Sequence, residues 1–209
     1  MEARAITEAD LIARILSGEK ELFHELIRAY ERMVYLTVFS VVKNETEAED
    51  GAQDAVINAY RHLASFRGDA KFSTWLVTIA INEGRQRLRK AKGVVEQSID
   101  EVQTGEDGEY TPAPLTDWRE IPSEALERKE LREALRTAVE ELPSIYRQVF
   151  TLRDLEEMSI EETSKALGIN VGVVKVRLHR ARIMMQKRLA PFLKTTAPAR
   201  KGFFRRAFL

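Results

Sequence analysis

The residues with the clearest chemical pattern are the lysines and arginines that follow Gly168. Residues 171–194 contain seven Lys or Arg and no Asp or Glu. A segment with one sign of charge suits a polyanion such as nucleic acid. The chain has no cysteine, and its three histidines, His24, His62 and His179, are too scattered for a metal cluster. We therefore expect no metal site and no cofactor.

The residues just before this basic segment carry the start and stop signals of a helix-turn-helix. Ser159 followed by Glu162 forms a capping box, and Gly168 can take the left-handed conformation that ends a helix. Asn170 can then cap a second helix that extends to Leu193. In this motif the second helix enters the DNA major groove, where side chains near its start reach base edges. From this segment alone, a basic solvated helix remains the alternative.

The second helix has two distinct faces. Its apolar residues fall on one face at helical spacing, and we expect that face to pack inward: Val171, Val174, Leu178, Ala181 and Met185. The candidates for contact with DNA lie near the start of the helix: Lys175, Val176, Arg177, His179 and Arg180.

The composition of the chain narrows its class. Among 209 residues, 33 Lys and Arg balance 33 Asp and Glu, so the distribution of charge is informative and the net charge of zero is not. No apolar run approaches the roughly 18 residues of a membrane span, and the N-terminus lacks the basic start of a signal peptide. We expect a cytoplasmic protein that does not insert into membranes.

Helical periodicity also runs through the N-terminal part of the chain. The pattern predicts helices at Thr7–Leu16, Glu19–Lys43, about Glu45–Leu63 and Ser73–Lys92, with a loop at Phe66–Phe72. The third helix is acidic in its first half, which is usually just a solvated face. The fourth ends with five cations between residues 85 and 92, a favourable placement at a helix C-terminus.

Periodicity disappears after residue 92 and then resumes. Residues 93–121 read as a flexible linker, and residues 96–127 contain ten acidic residues and one basic residue. Helices are expected from Pro122 to Leu142 and from Pro143 onwards, and they support the helix-turn-helix. No strand pattern and no internal repeat occurs. The fold class is therefore all-α, with small helical domains at residues 1–92 and 122–194 and a tail at residues 195–209.

Four segments together resemble the extracytoplasmic-function group of bacterial sigma factors. Residues 168–182, GINVGVVKVRLHRAR, resemble the promoter-reading helix of that family. AEDGAQD at 48–54, FRG at 66–68 and FSTWLVTIAIN at 72–82 resemble its N-terminal segments. Each motif is short, but all four occur in family order and at family spacing around a linker.

The resemblance implies a subunit that binds bacterial core RNA polymerase and promoter DNA. The positions that match the polymerase contact are Asp50, Gln53 and Asp54. The positions that match the segment reading and opening the minus-ten element are Arg67, Lys71, Phe72, Trp75, Asn82, Arg85 and Arg89. The minus-thirty-five element would be read by the second helix of the helix-turn-helix. The resemblance leaves open the promoter sequence, the inducing signal and the presence of an anti-sigma factor.

The chain departs from the family pattern at several positions. Thr163-Ser164 stands in place of the usual Ile-Ala, Val173 and Val176 replace hydroxyl residues, and Gln86 lies where Asp is common. These differences leave the exact promoter sequence open and do not change the class that the resemblance implies.

Two other classes of function compete with this interpretation. A plain helix-turn-helix repressor or activator would explain the second domain, but it leaves the first without a role. An enzyme acting on nucleic acid would need clustered carboxylates for a metal, or a nucleophile with its base. The acidic residues here lie in a helix start and a linker, so we expect no enzymatic activity.

Overall fold

The computed structural model describes residues 7–92 and 129–193, and within them every regular element is helical. The nine α-helices of this part of the chain are α1 Glu8–Leu16, α2 Leu22–Arg28, α3 Glu31–Val42, α4 Glu45–His62, α5 Phe72–Lys92, α6 Lys129–Glu141, α7 Ser144–Phe150, α8 Ile160–Leu167 and α9 Val171–Leu193. A 3₁₀ turn follows α4 and a π-helical turn at Thr151–Leu155 follows α7. The all-α prediction is confirmed, while the predicted linker and tail lie outside the described residues.

The predicted helix at Glu19–Lys43 is wrong, because the chain breaks there into α2 and α3. The break falls at Tyr30, whose φ of −116° and ψ of −7° depart from the values of a regular α-helix. Its hydroxyl donates to Glu8, and its ring lies 5.5 Å from that of Phe72. No Gly or Pro marks the break. It coincides with contacts between Tyr30 and residues distant in sequence, which helical periodicity does not show.

The N-terminal helices pack closely because two glycines face α3. A Cβ atom on Gly84 of α5 would lie 2.9 Å from Cβ of Val41, and one on Gly51 of α4 would lie 2.8 Å from Cγ1 of Val38. Both distances are shorter than real Cβ atoms tolerate. Glycine at these positions therefore lets α4 and α5 approach α3, and this feature was not predicted from the sequence.

The predicted helix-turn-helix is present as α8 and α9. Ser159 and Glu162 form the capping box, and Gly168 ends α8 at φ +69°. Asn170 Oδ1 accepts a hydrogen bond from the amide of Gly172 at 2.7 Å, as expected of a helix cap. The inward face of α9 is also confirmed, since Val174, Leu178, Ala181 and Met185 are buried. The predicted start of the preceding helix at Pro122 lies outside the described residues.

The two sets of helices share an apolar contact. The buried cluster of α1 to α5 continues into Val149, Leu152, Ala166, Leu167 and Val174. A second cluster, formed by α6, α7 and α9, surrounds Phe150 and Met185. As a result, α8 lies against α5, and this packing determines the environment of several predicted site residues.

Candidate nucleic-acid interface

The start of α9 presents a polar face that the fold leaves accessible. Lys175 and Arg180 are exposed, and Val176 between them is 48% exposed. Arg177 and His179 are half-buried at the edges of this face. The five predicted residues thus lie on two adjacent turns of one helix, and three of them project into solvent.

Two hydroxyl groups of α8 donate to backbone carbonyls, one across the turn before α9 and one at the start of α8. The Ser164 hydroxyl donates to the carbonyl of Ile169 at 2.6 Å, across the turn. The fully buried Thr163 donates its hydroxyl to the carbonyl of Ser159 at 2.9 Å. These two residues are the ones that depart from the family's usual Ile-Ala, and each satisfies a backbone acceptor. The turn therefore accounts for the hydroxyl of Ser164, and the N-terminal end of α8 accounts for that of Thr163.

Three cations of α9 have partners in the described part of the protein. Arg180, although exposed, donates a long hydrogen bond to the hydroxyl of Tyr146 at 3.4 Å. Arg182 donates two hydrogen bonds to Asp154, at 2.9 and 2.7 Å, and the Asp154 side chain is only 2% exposed. Arg188 pairs with Glu141. The Arg182 pair fastens the middle of α9 to the π-helical turn. Some cations of α9 thus pair within the protein, while others, such as Lys175, remain on its accessible face.

The predicted minus-ten residues follow one stripe of α5 and the loop before it. Asn82 and Arg89 are exposed, and Trp75 is half-buried. Arg67 is exposed in the loop, where it pairs with Asp69 at 3.0 Å. The spacing of 75, 82, 85 and 89 places these side chains on the same side of a helix. The structure therefore brings most of the predicted set together.

Phe72 differs from the rest of this set, because it is fully buried and cannot touch DNA in this arrangement. Its ring packs against Tyr30, Phe66 and Trp75, with centroid distances of 5.5 Å to each. These edge and tilted contacts are favourable for aromatic pairs. The interpretation of Phe72 as a direct DNA contact is therefore corrected: it supports the loop and the start of α5.

The helix α8 contacts the α5 stripe at Arg85 and the preceding loop at Lys71. Arg85 donates a hydrogen bond to the carbonyl of Leu167 at 3.2 Å, and Lys71 contacts Glu162 at 2.8 Å. Hydrogen bonds from Lys71 and from the Ser159 amide lower the pKa of Glu162 to about 2. The capping carboxylate of α8 thus also pairs with a predicted DNA-binding lysine.

Arg147 joins the same two parts of the protein at a buried point. It is only 3% exposed and donates to the carbonyls of Ser40 at 2.8 Å, Glu140 at 3.0 Å and Leu142 at 2.9 Å. These carbonyls lie at the C-terminal ends of α3 and α6, where helix carbonyls lack partners of their own. Burial lowers the pKa of Arg147, while the charge of Glu140 opposes that effect.

The predicted polymerase-binding residues lie on α4, and two of them pair with Arg87. The guanidinium of Arg87 contacts Glu47 at 3.2 Å, Asp50 at 3.8 Å and also Asp54. Arg87 is one of the five cations at the end of α5. Its contacts show that it lies towards α4 and away from the α5 stripe. Gln53 is exposed on a neighbouring part of α4.

A groove lies beside Gln53, and it was not predicted from the sequence. It has a volume of about 560 Å³ and is lined by residues of α2, α3 and α4, among them Tyr35, Gln53 and Ile57. Ile57 is 47% exposed, and Tyr60, 39% exposed, packs edge-on against Phe23 at 4.9 Å. The sequence did contain one signal for this groove. Ile57 is apolar and lies one turn after Gln53, although other residues already form the buried face of α4.

In the part of the chain that the structure describes, no helix is both long and apolar enough to cross a membrane.

Comparison with known proteins places both regions in one family. The family model for Sigma-70 region 2 matches residues 26–94, and the model for Sigma-70, region 4 matches residues 132–185. The chain is 35% identical to the RNA polymerase sigma-H factor of Pseudomonas aeruginosa over 90% of this chain and 96% of that protein. It is 33% identical to the ECF RNA polymerase sigma factor SigW of Bacillus subtilis, over 85% of this chain and 94% of that protein.

Solved structures share the fold. CnrH in complex with the cytosolic domain of CnrY matches with a TM-score of 0.58 and 23% identity, covering 87% of this chain and 96% of CnrH. The sigma factor RpoE of Bartonella quintana, in complex with the anti-sigma factor NepR, matches with a TM-score of 0.57 and 22% identity, covering 80% of this chain and 96% of RpoE.

The fold and the accessible face of α9 define a helix-turn-helix DNA-binding protein with a second helical region. The similarity to the two sigma factors, which extends over most of the chain, identifies the family within that class. The chain belongs to the extracytoplasmic-function group of RNA polymerase sigma factors, and it directs promoter-specific transcription initiation. The resemblance inferred from the four motifs is thereby confirmed.

Proposed function

We propose that α9 reads the minus-thirty-five element through Lys175, Val176, Arg177, His179 and Arg180. The observation that carries this proposal is the accessible face of α9 at the end of a well-capped helix-turn-helix. In such a motif the start of the second helix meets base edges, and flanking cations contact phosphates. Asp154 and Arg182 support the contact from behind by holding the helix in place.

We also propose that the α5 stripe binds the minus-ten element as its strands open. Asn82 and Arg89 are accessible for polar contacts, and Arg67 extends the basic surface into the loop. A melted base needs a stacking surface and polar partners, while cations follow the backbone. Trp75 offers part of its ring, and Phe72 supports it from the core.

Two cations of this stripe must change partners when DNA binds. Lys71 contacts Glu162, and Arg85 donates to the carbonyl of Leu167. Lys71, whose side chain is 74% exposed, can turn from Glu162 to a phosphate where it stands. Arg85 is half-buried against α8, so a phosphate can replace the carbonyl of Leu167 only if α8 moves away from α5. We therefore propose that DNA binding by both faces accompanies separation of α8 from α5.

We propose that α4 docks on core RNA polymerase through Asp50, Gln53 and Asp54. Gln53 borders the groove beside Ile57, so a partner there can combine a polar contact with burial of apolar surface. Asp50 and Asp54 keep two roles, since each also contacts Arg87. Gln53 and Ile57 are therefore better positions for a test, because a change there leaves the contacts of Arg87 with Asp50 and Asp54 in place.

The organisation of the protein follows from these surfaces. We propose a polymerase-binding and minus-ten-binding domain at residues 1–92, an acidic linker at 93–121, a minus-thirty-five-binding domain at 122–194 and a tail at 195–209. The ranges matched by the two family models support this division. We further propose a non-enzymatic cytoplasmic subunit, and the family resemblance makes an anti-sigma factor a proposed partner.

The proposed function is tested by adding the full chain to bacterial core RNA polymerase and transcribing a library of randomised promoters. We expect selected templates to share two sequence elements separated by a fixed spacing. Transcripts that do not depend on the added chain, or selected templates without a shared element, would contradict the proposal.

The docking surface has its own test, which needs no DNA. Gln53→Arg should weaken association with core polymerase, because it places a bulky cation at the edge of the groove. Gln86→Arg makes the same chemical change at an exposed glutamine of α5 and serves as the control. Equal affinity of the two variants for core polymerase would exclude this face of α4.

A further inference from the structure

Val176 is an exposed aliphatic side chain on the accessible face of α9. Large hydrophobic side chains are exposed at only four places in the described residues: Leu16, Ile57, Tyr60 and Val176. Exposure of an apolar side chain gains nothing from the hydrophobic effect, and a β-branched residue has only modest helix propensity. At 48% exposure, about half of the Val176 side chain gains no burial on folding and stays available to a partner.

The surroundings of Val176 leave it open to a flat or concave partner. Gly172, one turn earlier on the same face, has no side chain, and its amide is held by Asn170 Oδ1 at 2.7 Å. Lys175 and Arg180 are exposed beside Val176 and provide positive charge. An aliphatic group between cations, at the start of this helix, suits DNA better than a purely apolar protein surface.

We propose that Val176 recognises the C5 methyl group of a thymine in the minus-thirty-five element. This inference rests on the proposed entry of α9 into the major groove. Thymine is the only standard base that displays a methyl group there, and an aliphatic side chain can contact it but cannot donate or accept a hydrogen bond. Val176 is then a specificity-determining residue that distinguishes thymine from cytosine by apolar contact.

The contact predicts a simple chemical sensitivity. Deoxyuridine pairs with adenine as thymidine does and lacks only the methyl group. Removing one buried methyl group should weaken binding by about fourfold, from the usual transfer free energy of one such group. The loss should occur at one thymine, or at two adjacent ones, and not throughout the element.

The test uses the full chain bound to core polymerase and a selected promoter duplex. Each thymine of the minus-thirty-five element is replaced in turn by deoxyuridine, and the dissociation constant is measured. At the sensitive position, Val176→Ala withdraws the two γ-methyl groups and should lose most of the preference for thymine over uracil, while Leu16→Ala, a control at an exposed residue of α1, should keep the full difference. At that same position, replacing the adenine–thymine pair so that cytosine or 5-methylcytosine stands in place of thymine should show a preference for the methylated base only when Val176 is present.

Two results would overturn the inference. One is a flat deoxyuridine scan, and the other is a Val176→Ala variant that remains as sensitive to the methyl group as the original chain. In both cases the complex would still prefer its minus-thirty-five element, so the proposed function would stand. Absence of any such preference would instead remove the proposed role of α9 together with this inference.

Discussion

Replacing Arg147 with methionine should lower the free energy of unfolding by about 3 to 5 kcal/mol. Methionine keeps much of the length of the side chain and removes the guanidinium. Arg147 is 3% exposed, so the change leaves the carbonyls of Ser40, Glu140 and Leu142 without this donor in a buried place. The expected loss is large because these acceptors come from two helix ends that the arginine joins.

The magnitude follows from two opposing effects. A buried acceptor that loses its partner costs about 1 to 3 kcal/mol, so three carbonyls give an upper value of about 9 kcal/mol. Burial of the guanidinium carries a desolvation cost, and the same burial lowers the pKa of Arg147. Removing the charge recovers part of that cost, and methionine fills part of the space. The net loss should therefore fall well below the upper value.

Urea unfolding followed by far-ultraviolet circular dichroism measures this difference. Arg147→Lys should retain only part of the stability, because an ammonium group cannot reach three carbonyls with the planar geometry of a guanidinium. Arg14→Met is the matched control, since Arg14 pairs with Glu19 at the surface, and it should leave stability nearly unchanged. If Arg147→Met costs less than about 1 kcal/mol, the three carbonyls are satisfied in another way and the reasoning is wrong.

Three further predictions use other contacts. Hydrogen bonds from Lys71 and from the Ser159 amide lower the pKa of Glu162 from 4.5 to about 2. Glu162→Gln should therefore cost most stability above about pH 4.5 and progressively less towards pH 2 in urea unfolding, whereas a constant difference would refute the linkage. Gly84→Ala should destabilise the protein by about 1 to 3 kcal/mol in the same assay, because its Cβ would meet Val41 at 2.9 Å. Arg180→Ala should weaken promoter binding by about 1 to 3 kcal/mol and relax preference at one base pair, whereas a uniform loss on all sequences would indicate a phosphate contact.

Part of the candidate site was predictable because it depends on neighbours in the sequence. The capping box at Ser159 and Glu162, the stop at Gly168 and the cap at Asn170 all act over a few residues. The buried face of α9 follows from helical periodicity in the same way. Together these signals identify which side of α9 is accessible, and the structure agrees with them.

The roles of the charged and aromatic residues were less predictable. Arg85 and Arg87 lie two positions apart at the end of one basic helix, and nothing in their spacing separates them. In the structure Arg87 pairs with the acidic residues of α4, while Arg85 reaches the carbonyl of Leu167, 82 residues away. Phe72 matched a DNA-binding motif, yet it is buried among Tyr30, Phe66 and Trp75.

The sequence by itself determined the helices of the helix-turn-helix, their caps and the family, because these depend on short-range hydrogen bonds and on residue order. Tertiary structure alone decided the break at Tyr30, the pairing of Lys71 with Glu162 and the burial of Arg147 against Ser40, 107 residues away. The physical reason is that a long-range contact depends on which helical faces bury the most apolar surface together. Periodicity identifies each apolar face, but it does not identify the face against which that surface packs.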